Sequence, residues 1–130
     1  MAEATMAQGM WCHIEIPSID PEKAKSFYGD VFGWSFQEVP LGEGTYHLYM
    51  TGEGGIGGGI WNPPQGMPRQ VINYVNVEDL EPIRKKAEKA GGKVILPEQE
   101  IPGIGWFSLI ADPDGNVFGA WKQNPHAAGH

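Results

Sequence analysis

Apolar and polar side chains alternate from Trp11 to Ile16, with Ile14 and Ile16 on one face and Trp11, His13 and Glu15 on the other. That period of two predicts a strand. At Asp20-Pro21 the period changes. An aspartate can accept from the free N–H groups of a first helical turn, proline needs no N–H there, and Glu22 suits the positive end of the helix dipole. Ala24, Phe27, Tyr28, Val31 and Phe32 then recur at helical spacing as one apolar face, and Gly33 ends the run. Strands are predicted over 34–39, 45–51 and 56–61, separated by glycine-rich turns. Residues 62–70 hold Pro63, Pro64, Gly66 and Pro68 and read as a linker.

The pattern then starts again. A strand is predicted over 71–77. A helix over 78–92 follows, with Asp79 as its cap and Leu80, Ile83, Ala87 and Ala90 turned inward. Strands over 93–96, 106–111 and 116–122 complete the series, the last two joined by the turn residues Asp112-Pro113-Asp114-Gly115. A shift of 59 lays His13 on Ile72, Glu15 on Tyr74 and Gly33 on Gly92; a shift of 60 lays Tyr46 on Trp106, Gly59 on Gly119 and Trp61 on Trp121. The matching order of elements, more than the few identities, makes this an internal repeat.

The expected fold is therefore α+β: two βαβββ modules, 11–61 and 71–122, form a curved mixed sheet around a cleft with the helices outside. Segments 1–10 and 123–130 flank this single domain as loose ends. Strand parity predicts the cleft lining: His13, Glu15, Gly59 and Trp61 from the first module, and Ile72, Tyr74, Gly119 and Trp121 from the second. Trp106 is expected to add a further wall.

Composition narrows the function. The chain has 130 residues, with 9 basic and 16 acidic side chains and a net charge of −7, which disfavours nucleic acid because phosphate binding needs clustered Lys and Arg. No run approaches the ~18 apolar residues that span a bilayer, and the opening MAEATMAQGM has no basic, apolar signal. Cys12 is the single cysteine, so neither an internal disulfide nor a multi-cysteine metal site is available. A cytoplasmic location is the expectation. The glycine run 54–59 leads into Ile60-Trp61-Asn62-Pro63 and not into a helix, so it is no dinucleotide loop. Ser108 has no His-Asp pair in view, and Arg84, Lys85, Lys86 and Lys89 read as a solvated helix face. His126 and His130 fall in the loose tail.

Several motifs carry a resemblance: His13-x-Glu-Ile-Pro, Asp20-Pro21 and Phe27-Tyr28-x-x-Val-Phe-Gly33-Trp34 in the first half, and Tyr74-Val-x-Val-x-Asp79 and Asp112-Pro-Asp-Gly-Asn116 in the second. Over about 11–122 the sequence resembles the vicinal oxygen chelate superfamily, which includes glyoxalase I, bleomycin-resistance proteins and extradiol dioxygenases. The resemblance implies metal ligands from four central strands. Carried over by position, His13 matches the first ligand; the others fall on Ile72, near Gly59 and on Gly119, none of which offers a donor. A catalytic zinc site takes three protein ligands and an open position.

The expected function is thus metal-independent binding of a small planar or aromatic molecule, with no cofactor. Glu15 and the acidic balance favour a neutral or cationic ligand. Homodimerisation is also expected. The alternative is a divalent-metal-dependent, glyoxalase-like lyase or isomerase with a displaced set of His13, Glu15 and His47, or with Glu15 as a general base. A third reading is an interaction module whose cleft holds a partner segment.

Overall fold

A computed structural model describes residues 8–41 and 43–124. The chain divides into two units, Cys12–Asn73 and the remainder from Tyr74 together with the segment through Trp11. The tail histidines at 126 and 130 lie outside the described residues. The elements run β1 (Trp11–Pro17), α1 (Pro21–Phe32), β2 (Ser35–Leu41), β3 (Gly44–Met50), β4 (Gly58–Trp61), β5 (Ile72–Asn76), α2 (Leu80–Lys89), β6 (Lys93–Ile101), β7 (Gly105–Ala111) and β8 (Val117–Gln123).

Each unit repeats one topology. In the first the strand order is β2-β3-β4-β1 and in the second β6-β7-β8-β5. The innermost pair of each, β1 with β4 and β5 with β8, is parallel, and the other pairs are antiparallel. The expected α+β repeat of βαβββ modules is what the chain forms. No helix among the described residues is long and apolar enough to cross a membrane.

Local chemistry sets the boundaries. The Lys23 amide donates to Asp20 Oδ1 at 3.3 Å, and Gly33 closes α1 in the left-handed conformation at φ 76°, its N–H donating to Gly29 O. The Asp112 carboxylate accepts from the amides of Asp114 and Asn116 and from the Asn116 side chain, which hold its pKa below the ordinary value. That motif fixes a turn. The end of the opening segment, expected to be loose, is instead tied down: Gln8 accepts from the Glu78 amide, and the backbones of Gly9 and Met10 bond Asn76.

In the second unit the helix side of the sheet buries Val77, Leu80, Ile110 and Ala120, with Ile83, Ala87, Trp106 and Phe118 packed around them. Arg84 corrects the solvated reading of its helix face. Its guanidinium donates to Pro97 O at 2.7 Å and Ser108 Oγ at 3.1 Å, while the Ser108 hydroxyl itself donates to Pro97 O. Ser108 is thereby a structural tie between α2, β6 and β7. In the first unit Tyr28, Trp34 and Tyr49 stack in sequence, with ring centroids 4.9 Å and 4.5 Å apart. Burial and the neighbouring Tyr28 raise the Tyr49 phenol to about 12, and its hydroxyl donates to Ile14 O. A side chain at Gly58 would overlap that same carbonyl, so glycine lets β1 and β4 approach.

Helix α1 departs from its sequence reading. Ala24 and Tyr28 turn inward as expected, but Phe27, Val31 and Phe32 remain exposed, and α1 has no fully buried residue. A stripe five residues wide covers more of the helix circumference than one sheet face can accept.

Candidate functional site

The side chains opposite the helix were expected to carry the chemistry, and each unit presents a different set there. In the first unit β1 supplies His13 and Glu15, β3 supplies Tyr46, and β4 supplies Gly59 and Trp61. Glu15 pairs with Gly59 across β1 and β4. The Tyr46 hydroxyl lies 2.7 Å from His13 Nε2 and donates to Glu15 Oε2 at 2.9 Å. A phenol has one proton. With that proton on Glu15, Tyr46 O accepts from His13, which places a proton on His13 Nε2. Burial lowers the His13 pKa to about 4, which favours the neutral imidazole. The Trp61 indole meets the Tyr46 ring edge-on, 5.8 Å between centroids.

Gly59 is not a vacancy. A Cβ there would overlap Tyr46 Cζ, Cε2 and Oη, so the tyrosine ring fills the volume the missing side chain leaves. The same device recurs in the second unit. A Cβ at Gly119 would overlap the Tyr74 ring, and Tyr74 is itself buried, edge-on to Phe107 at 5.8 Å. Gly59 and Gly119, expected to line the cleft, therefore leave no open space there: each is roofed by a tyrosine. Trp121 stands on the same face of its sheet as Phe107, over Gly105. Ile72 is buried and apolar.

Trp106 is not a pocket wall. It packs on the helix side with Ile83 and Ala87, and Lys122 Nζ lies 5.5 Å from its ring centroid while also pairing with Asp79. The cause is a one-residue slip in the repeat. Leu48 pairs with Gly59 and Leu109 with Gly119, so β3 maps onto β7 with a shift of 61 (109 − 48), and Tyr46 corresponds to Phe107. On a strand, one residue reverses the face.

His47 likewise lies on the helix side. Its Nδ1 is 3.4 Å from Lys25 Nζ, and that ammonium also lies 3.3 Å from Glu22 and 3.2 Å from Glu38. His47 therefore does not join His13 and Glu15 in a displaced ligand set. Glu22, Glu38 and His47 do bring ligand-type atoms together, but Lys25 places its own cation among them.

The positions at which the resemblance implies metal ligands do not fit a metal. Ile72 has no donor, Gly59 and Gly119 have neither a donor nor room for one, and His13 directs Nε2 at Tyr46. At the end of the first unit's sheet, Trp61, His47, Thr45, Leu41, Pro21 and Asn62 border an open hollow of about 460 Å³. Trp61 borders it together with residues from the β2–β3 hairpin and the start of α1 that the sequence reading did not assign to a pocket.

The family model for the glyoxalase/bleomycin resistance protein/dioxygenase superfamily matches residues 12–119. The chain belongs to that superfamily. Over 124 residues it is 33% identical to a putative glyoxylase, CFP32, of Mycobacterium tuberculosis, covering 92% of this chain and 48% of that protein. It is 26% identical over 132 residues to the anthracycline biosynthesis protein DnrV of Streptomyces peucetius, covering 90% and 48% respectively. The chain thus spans about half the length of these two relatives. Among solved structures, methylmalonyl-CoA epimerase from Mycobacterium tuberculosis superposes with a TM-score of 0.72 over 100% of this chain and 97% of that one, at 14% identity. At that identity the likeness concerns the fold alone.

Proposed function

We propose that this superfamily member binds a small planar or aromatic organic molecule without a metal. The observation that carries the reading is the pair of tyrosine rings on Gly59 and Gly119, which take up the space a liganding side chain would need. Supporting it, Trp61 walls a hollow of about 460 Å³, within the roughly 300–1,000 Å³ range of small-molecule pockets. Flat indole and phenol faces favour flat partners through offset or edge-on stacking. The His13–Tyr46–Glu15 chain adds polar groups on the face of the first unit's sheet opposite the helix, and a carboxylate there favours a neutral or cationic ligand over an anion.

We also take the protein to act in the cytoplasm, where its one thiol stays reduced. Burial raises Cys12 to about 11, which leaves it a weak nucleophile. The anthracycline-biosynthesis relative is consistent with a polycyclic aromatic partner.

The test is equilibrium binding of a panel of polycyclic and monocyclic aromatics, followed by tryptophan fluorescence and calorimetry with and without EDTA. Saturable binding that EDTA leaves unchanged is expected. A stoichiometric divalent metal, with binding or turnover that chelation abolishes, would overturn the proposal.

A further inference from the structure

Helix α1 carries an apolar surface that nothing among the described residues covers. Ile19 is 84% exposed, Phe27 57%, Val31 54% and Phe32 61%. Phe27 and Val31 lie about one helical turn apart, Ile19 precedes the helix, and Phe32 extends the surface towards Trp34, with which it stacks at 5.6 Å. Aromatic side chains each present on the order of 200 Å², so the four residues leave about 450 Å² of apolar surface in water. That is close to the apolar share of one side of a standard interface, about 800 Å² per partner and roughly 65% apolar in homodimers.

The charges around this surface indicate its occupant. Lys23 lies four residues before Phe27 and Asp30 three residues after it, both exposed and neither in an ion pair among the described residues. Two antiparallel copies of α1 crossing at Phe27 bring Lys23 of each against Asp30 of the other. A twofold contact needs this self-complementarity, because every residue meets the reciprocal position of its mate. A partner of one charge sign would meet a repulsive residue at one end of the stripe.

We propose that two copies of this chain pair antiparallel through α1, with Phe27 at the twofold axis and Val31 and Phe32 packed beside it. The pairing is independent of what the protein binds. Sedimentation equilibrium of the full chain tests it. The native protein should sediment at twice the 14.2 kDa of one chain, and Phe27→Glu should be monomeric with an unchanged circular dichroism spectrum. Lys23→Asp should weaken the dimer about tenfold, by setting like charges together twice. The exchange Lys23→Asp with Asp30→Lys should restore it to within about threefold of native. Both changes suit the helix dipole at their own ends, so the doubly exchanged chain keeps its fold. A native chain that stays monomeric overturns the proposal and leaves the surface to another protein. A dimer indifferent to Phe27→Glu, or a charge exchange that fails to rescue Lys23→Asp, overturns it too.

Discussion

Acidifying the protein should cost stability through His13 in a way that can be separated from all other groups. The imidazole is held neutral, with burial lowering its pKa from 6.5 to about 4. Above pH 6.5 it is neutral in both the folded and unfolded chain and contributes no pH dependence. Between 6.5 and about 4 the unfolded chain binds a proton that the native chain refuses, so stability falls as the pH drops. A difference of 2.5 pH units at 1.36 kcal/mol each gives about 3 kcal/mol lost by pH 4. Carboxylates titrate in the same range, and a second protein removes their share. His13→Gln does not titrate and retains an N–H with which to approach Tyr46 O. Urea unfolding of both proteins at pH 7 and pH 4 should show the native chain losing about 3 kcal/mol more than the variant. Equal losses would refute the reasoning, since they would mean that His13 charges as readily folded as unfolded.

Other expectations follow from the same geometry. Gly59→Ala and Gly119→Ala should each destabilise by about 1–3 kcal/mol in thermal or urea unfolding, since each Cβ meets a buried tyrosine ring. Tyr46→Phe should cost about 1–3 kcal/mol by removing the hydroxyl that joins His13 to Glu15, with the loss visible at pH 7. Trp61→Ala should weaken binding of any aromatic ligand about tenfold while leaving the melting temperature of the free protein within a few degrees. Zn²⁺, Ni²⁺ or Mn²⁺ at ten equivalents should leave the native melting temperature unchanged, because a ligand stabilises only by preferring the folded state; a rise of several degrees would count against the donor assignment.

Much of the fold was legible in the sequence because period and punctuation are local. Asp20, Gly33 and the Asp112–Asn116 turn act within a few residues of themselves, and their structural roles match what their types imply. Parity along β1 and β4 likewise placed His13, Glu15, Gly59 and Trp61 on one face. What escaped was long-range or depended on a count. The Trp106 assignment failed because one residue separates β7 from the assumed repeat register, and nothing local to 106 marks the slip. The Tyr46 ring over Gly59 joins β3 to β4 and is invisible to any periodicity. The exposure of Phe27, Val31 and Phe32 was hidden for a different reason: an apolar stripe is the same string of letters whether it faces its own sheet or another molecule.

The tyrosines over Gly59 and Gly119 also constrain how this protein can change. A carboxylate cannot be introduced at either position while the aromatic neighbour stays, and removing the neighbour first leaves a hole beside a residue without a side chain. Position 59 is tied to 46, and 119 to 74. Variants that acquired a liganding residue at either position would have to cross a poorly packed intermediate, so each ring acts as a barrier to that change.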